Sequence, residues 1–333
     1  MILRLGIYAA TAAVLGLATV AALFAQRLEP VSEDASQVVF EVKPGDSLSG
    51  VARRLEREGL LRDARVATWW GRWHGLDKGL HVGEYGLAAS LSASEILDRI
   101  ASGRVLTFEV VIPEGLTAAE IGRRLADAGL ADADAFSAAV ADPELARSLG
   151  VEGDSLEGYL FPETYRMPRG RRAEEVAGVL VGQFLEAWQR LAPQAEARGL
   201  SMREVVTLAS VVEKETGATD ERPLIASVFA NRLERGMRLE SDPTVIYGIP
   251  DFDGNLRRRH LDDTANRYNT YQHTGLPPGP IASPGLDALR AVVEPADTKF
   301  LFFVSRNDGT HHFSRTYREH VNAVRRYQLR GGS

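Results

Sequence analysis

Apolar residues along this chain follow three regimes. The first is continuous. Leu5 to Ala25 is 21 residues without a charge, rich in Ala, Leu and Val, and at about 1.5 Å per residue such a helix crosses a hydrocarbon core of roughly 30 Å. The pattern predicts a transmembrane helix over 5–25. Arg4 precedes it and an acidic stretch, Glu29 to Asp34, follows, which puts residues 1–4 in the cytoplasm and everything after Gln26 outside. The apolar run is long for a signal peptide and lacks a small-x-small site before Gln26, so a retained anchor is expected. Residues 26–38 read as a polar tether.

The second regime is a repeat of short β-branched runs and amphipathic helices. Phe40-Glu41-Val42 aligns with Phe108-Glu109-Val110, Arg53-Arg54-Leu55 with Arg123-Arg124-Leu125, and Gly59-Leu60 with Gly129-Leu130, the offset drifting from 68 to 70 residues. Each copy predicts a strand, a Pro/Gly turn and a helix closed by glycine. Between the copies, Gly83 to Leu87 predicts a further strand, and Ser92 with Glu95 forms a capping box that opens a helix to Ala101. The polar, alanine-rich stretch Ala131 to Val151 reads as a linking region.

Longer helices with wide apolar faces make up the third regime. Glu174 to Leu191 places Val176, Leu180, Phe184, Leu185 and Trp188 on one face. Arg222 to Arg235, closed by Gly236, turns Ile225, Val228, Phe229 and Leu233 inward. Between them, Ser201 with Glu204 caps a helix in which Val205, Leu208, Ala209 and Val212 recur at helical spacing. At about 100° per residue Glu213 falls about 80° from Val205, on the shoulder of the buried face, and Glu215 lies beside Leu208 on the opposite shoulder. A carboxyl group so placed is partly desolvated, and its pKa should rise toward what a general acid needs. Ordinary solvated helix-end charges fit the spacing as well.

Met237 to Ile281 is loop-rich, the kind of segment that holds substrate groups on a rigid scaffold. Phe300 to Ser305, the turn Asn307-Asp308-Gly309 and Thr310 to Phe313 predict a β-hairpin. Ser314 then caps a last helix, with Glu319 early and Arg325, Arg326 and Arg330 late, as its dipole favours. Adjacent His311 and His312 would point to opposite faces of a strand and so cannot share a metal. The fold class expected is α+β.

Composition narrows the chemistry. With 333 residues and 44% hydrophobic content, the chain can form two packed domains beyond the anchor. A net charge of -6 with no basic stripe argues against nucleic acid as a partner. The absence of cysteine excludes disulfides, thiolate nucleophiles and a lipoprotein anchor. No zinc signature, nucleophile elbow or phosphate-binding glycine loop is found, and neither a metal nor a cofactor is expected.

Five motifs in order carry a resemblance: Leu156-Glu157-Gly158-Tyr159-Leu160-Phe161-Pro162-Glu163-Thr164-Tyr165, Leu208 to Thr216, Ser241-Asp242-Pro243-Thr244-Val245-Ile246-Tyr247-Gly248, Tyr268-Asn269-Thr270-Tyr271, and Gly275-Leu276-Pro277-Pro278-Gly279-Pro280-Ile281. Together they resemble the endolytic murein transglycosylases of the MltG type, the YceG-like family. The stretch Val42 to Ala52 is similar to the opening of LysM modules, which bind N-acetylglucosamine polymers. The resemblance implies a LysM-like βα repeat region over 39–150 and a mixed α/β catalytic domain over 151–333, with the protein in the inner membrane, peptidoglycan strands as substrate and cell-wall synthases as candidate partners. Ala282-Ser283-Pro284-Gly285 departs from the family, which commonly has asparagine there.

Such an enzyme cleaves the MurNAc-GlcNAc β-1,4 bond of nascent strands without water. The muramic acid's own C6 hydroxyl attacks and closes a 1,6-anhydro ring, ending strand elongation. A tethered nucleophile brings an effective molarity on the order of 10⁵ M or more, so one carboxyl group suffices where hydrolases use two. By its match to the family motif Glu213 is the expected catalytic acid. Glu157, Tyr159, Asp242, Thr244, Tyr247, Asn269, Thr270, Tyr271, His312 and Ser314 are expected to bind substrate or support the cleft. Two other readings stay open: a noncatalytic glycan-binding scaffold, and a hydrolase pairing Glu213 with Glu157 or Asp242.

Overall fold

The computed structural model describes residues 2–329. α1 (Ile2–Leu28) continues past the expected 5–25 into the predicted tether. Nothing at Gln26 to Leu28 opposes a helix, whereas Pro30 cannot continue one and disfavours helical geometry in the residue before it. Thr11–Leu28 is long and apolar enough to cross a membrane, and none of it is buried. The Arg62 guanidinium donates to the Pro30 carbonyl through Nε at 2.8 Å, which holds the chain where the helix ends.

The chain forms two units, Met1–Phe108 with Arg166–Gly170, and Glu109–Tyr165 with Arg171–Ser333. In the first, β1 (Val38–Val42) pairs antiparallel with β2 (Gly83–Leu87), Phe40 opposite Tyr85. Helix α2 (Leu48–Arg57) starts at Ser47, whose hydroxyl accepts the Gly50 N–H. Helix α3 (Ala64–Trp73), capped by Asp63, has no counterpart in the sequence reading, because only three small residues, Ala64, Ala67 and Gly71, mark its inner face. A Cβ at Gly71 would lie 2.9 Å from Leu48 Cδ2, so the helix approaches the α2 side chains closely there. α4 (Ala93–Ala101) carries the expected Ser92/Glu95 box.

Phe40, Leu55, Tyr85, Ile96, Leu97 and Ile100 form the core of this unit. Each contributes about 1.5–3 kcal/mol by leaving water, and Leu97→Ala would cost about 2–5 kcal/mol. The Tyr85 hydroxyl donates to the His81 carbonyl at 2.6 Å, so its burial leaves no polar group unmet. In the returning segment Arg166–Gly170, the Arg169 guanidinium sits 3.8 Å from the Phe108 ring centroid and 4.0 Å from Glu84.

β3 (Phe108–Val111) is where the chain first leaves that unit. The second copy of the repeat continues into α5 (Ala118–Asp127), boxed by Thr117 and Glu120. The two copies thus lie in different compact units, which part at Phe108. The stretch 131–151 was expected to be a linker. It folds as α6 (Ala133–Val140) and α7 (Pro143–Ser148), capped by Asp132 and Asp142, and buries Phe136, Ala139, Val140 and Ala146.

β4 (Thr164–Met167) leads to α8 (Ala173–Ala197) and then α9 (Met202–Glu215), which has the expected Ser201/Glu204 box. Every residue of α9 from Val205 to Val212 is buried, beyond the single stripe that periodicity implied. Its polar members are satisfied: Ser210 Oγ donates to the Thr207 carbonyl at 2.7 Å and accepts the Ile281 N–H at 3.0 Å. α9 packs against α8, α10 (Arg222–Glu234), α11 (Asp242–Tyr247) and α13 (Leu286–Val293), while α12 (Arg258–Leu261) lies in the loop-rich segment.

β5 (Phe302–Ser305) and β6 (His311–Ser314) form the predicted hairpin, with Asn307 and Gly309 at positive φ in the turn. α14 (Tyr317–Val324) is capped by Thr316 boxed with Glu319. Ser314, expected as that cap, is held in the strand, where its carbonyl accepts the Leu301 N–H. Arg330 lies outside the described residues.

Candidate active site

α9 ends with its two glutamates in opposite surroundings. Glu213 meets the start of α10 and the start of α13. Its Oε1 accepts from Arg222 Nη2 at 2.8 Å, and its Oε2 accepts the Gly285 N–H, at the head of α13, at 3.1 Å. Both side chains of the ion pair are 6% exposed. Arg222 also binds Glu114 at 3.1 Å, and Lys214 Nζ donates to the Gly115 carbonyl, fixing the 113–117 turn beside them. Burial raises the Glu213 pKa, against the Gly285 N–H and the Arg222 charge, with Glu114 adding to the rise.

Glu215 faces a cavity of about 410 Å³, shared with Arg232, Glu240, Asp242, Tyr271 and His311. Ser241 Oγ donates to its carboxylate. Burial pushes the Glu215 pKa up to about 7; the Asp242 carboxylate adds to the rise, while Ser241 and Arg232 oppose it. Across the cavity the Tyr271 hydroxyl donates to Asp242 Oδ1 at 2.8 Å. Arg232 is fixed by the Leu301 carbonyl at 2.7 Å and by Glu240 at 3.0 Å. Glu240 itself adopts a left-handed φ of 53°, a cost that its N–H bond to the Thr270 carbonyl and its pairing with Arg232 offset. The result is a carboxyl group with a raised pKa beside an acceptor, a phenol and a cation.

Glu157 lines a second cavity, about 260 Å³, with Asp154, Arg203, Arg267 and Tyr268. It accepts the Ala118 N–H at the head of α5 at 3.0 Å and the Tyr247 hydroxyl at 3.1 Å. Burial raises it to about 7 despite those bonds. Glu213 lines neither cavity.

A sequence profile of the YceG-like family matches residues 40–326. The chain belongs to the YceG-like family. An endolytic murein transglycosylase of Bacillus subtilis (strain 168) is 28% identical over 317 residues, covering 90% of this chain and 88% of that one. One from Streptococcus pneumoniae serotype 2 (strain D39 / NCTC 7466) is 29% identical over 335 residues; the match covers 89% of this chain but 60% of that protein's length. The crystal structure of a yceG-like protein from Listeria monocytogenes aligns with a TM-score of 0.59 at 28% identity, covering 86% of this chain and 98% of that one.

Within this YceG-like chain the expected site residues separate by role. Asp242 and Tyr271 reach the cavity of Glu215. Tyr247 reaches Glu157 and rests its ring 4.8 Å from that of Tyr268. Tyr159, 1% exposed, is packed edge-on against Phe184 with its hydroxyl donating to the Glu152 carbonyl, and contributes to the wall of the Glu157 cavity. Asn269 spends its amide on the carbonyls of His260, Leu261 and Asp263. Thr244 and Thr270 bond each other at 2.8 Å, and Thr270 Oγ1 accepts the Ser241 N–H. These three buried residues pin the loop that carries Ser241. His312 lies against Tyr327 and Ser314 is buried in the strand, so the cavity receives His311 instead, held by Glu221 at 2.6 Å.

Sequence reasoning missed Arg222, Arg232, Ser241, Glu221 and Glu114. One signal existed. Arg222 stands at a helix start, where a cation opposes the dipole, so its presence there calls for carboxylate partners.

Proposed function

We propose that this chain is a membrane-anchored endolytic peptidoglycan transglycosylase whose proton donor is Glu215. The observation that carries the reading is the Glu215 carboxyl group, raised to about 7 and lining a cavity with Asp242 and Tyr271. The names of its relatives support the substrate class. Sequence alone favours Glu213, by motif. What favours Glu215 is access: Glu213 is closed in by Arg222 and Gly285, while a general acid must reach the leaving oxygen.

In this mechanism Glu215 protonates the departing N-acetylglucosamine oxygen as the C6 hydroxyl of muramic acid attacks C1. The resulting carboxylate takes the hydroxyl's proton, so the enzyme returns to its starting state and no water is consumed. Ser241 orients the carboxyl group, and the Arg232 cation next to it stabilises the carboxylate that forms. α1 anchors the chain with its N-terminus in the cytoplasm and the catalytic part outside. The LysM-like stretch 42–52 supplies a second glycan contact.

The test is product mass. The chain in lipid nanodiscs, incubated with glycan strands, should release ends lighter by one water than hydrolysis products, and Glu215→Gln should release none. A second reading has one observation in its favour: Asp242 lines the same cavity and would make a carboxylate pair for a hydrolase. Reducing ends would establish that reading. Binding of strands without cleavage would refute both.

A further inference from the structure

The anchored unit carries a feature that cleavage chemistry does not use. α3 buries Ala64, Ala67 and Gly71 on one side. On the other side stand Arg65, Trp69, Arg72 and Trp73, which at about 100° per residue fall within about 100° of arc. Trp69 is 54% and Trp73 75% exposed, with their rings 5.3 Å apart. Large apolar side chains paired in this way on a surface point to something that covers them.

α1 shows what that is. Phe24 meets Trp69 edge-on at 5.1 Å, and Leu17, Val20, Phe24, Val66 and Trp69 share one apolar groove. Phe24 lies about 6 Å along the helix axis from Leu28, the last residue of the candidate span. Trp69 is therefore level with the end of the apolar helix, where acyl chains give way to headgroups and indole rings are at their most favourable. Beside it, Arg53, Arg65 and Arg72 line a depression of about 440 Å³. Three arginines lining one depression next to an indole suit a lipid phosphate.

We propose that α3 is a membrane-interface helix that seats the first unit on anionic lipid, with Trp69 and Trp73 among the upper acyl chains and Arg53, Arg65 and Arg72 on headgroup phosphates. This rests on α1 being a membrane anchor. The occupant is lipid rather than another protein because the groove's own wall is the apolar helix, whose exposed side chains continue into the same surface.

The chain contains no cysteine, so Trp73→Cys and Leu15→Cys can each carry a single environment-sensitive fluorophore on the full chain in vesicles of phosphatidylethanolamine and phosphatidylglycerol. The label at 73 should shift to the blue, resist aqueous iodide, and be quenched more by lipids spin-labelled near the headgroup than by those labelled at the chain end. The label at 15 should show the opposite depth order. Arg65→Glu with Arg72→Glu should abolish the shift at 73 and leave that at 15. A label at 73 that stays in water, or is shielded without being quenched by lipid, while 15 is quenched deep, overturns the interface and leaves the anchor standing. Both labels in water overturn the anchor, and the interface with it.

Discussion

Glu213 and Glu215 stand two positions apart, yet one is an ion-pair partner and the other faces a cavity, and substitution should separate them. Glu215→Gln should lower kcat by about 10²–10⁴, the range for losing a general acid, without loss of Tm. Glu213→Gln leaves Arg222 buried with weaker partners, and thermal unfolding should show a loss of about 3 kcal/mol. pH adds a second signature. The donor must hold its proton, so kcat should fall as pH rises through about 7.

Stability follows the same sign. The folded chain keeps the Glu215 proton up to about 7, whereas the unfolded chain loses it near 4.5. Its contribution is complete below about pH 4.5 and gone above about pH 7, a loss of up to about 3 kcal/mol at about 1.4 kcal/mol per pH unit. Denaturation at pH 5 and pH 8 should show a smaller difference for Glu215→Gln, with the part due to Glu157 remaining. Periodicity put both α9 glutamates on shoulders of the buried face; which one meets a cavity depends on Ser241 and Asp242 returning from the loop, and no local pattern encodes that.

Elements were legible where caps and stripes agreed. The Ser92 and Ser201 boxes begin α4 and α9, and the glycines closing both repeat helices have the positive φ such ends need. α6 and α7 were hidden by alanine-rich composition, although Asp132 and Asp142 with Pro143 were cap signals. α10 forms where expected, but nothing in its pattern showed that Arg222 and Arg232 lie buried in it. Between elements Gly158 combines a close approach with a left-handed backbone: its φ is 86° and Pro280 Cβ lies only 2.4 Å from where a side chain would begin. Gly158→Ala should cost about 3 kcal/mol from strain and overpacking together, read as a lower Tm and a loosened Glu157 site.

At the scale of the molecule, the apolar N-terminal run was the plainest signal, and α1 is a helix long and apolar enough to cross a membrane. An uncharged run declares itself, whereas a boundary depends on which helices pack together across long stretches of chain. Carbonate washing of membranes should leave the full chain in the pellet, and removing residues 1–28 should release it; a full chain that washes off would remove the anchor from the account.

The first unit is discontinuous: the chain leaves it at Phe108 and returns for Arg166–Gly170, where Arg169 closes on Phe108 and Glu84. During synthesis that unit therefore remains unfinished until residue 170 has emerged, by which time 57 residues of the other unit, 109–165, are already out. The first unit's hydrophobic core, Phe40 to Ile100, is complete well before that, so a nascent chain stalled short of residue 166 would carry a formed core that lacks the Arg169 contacts.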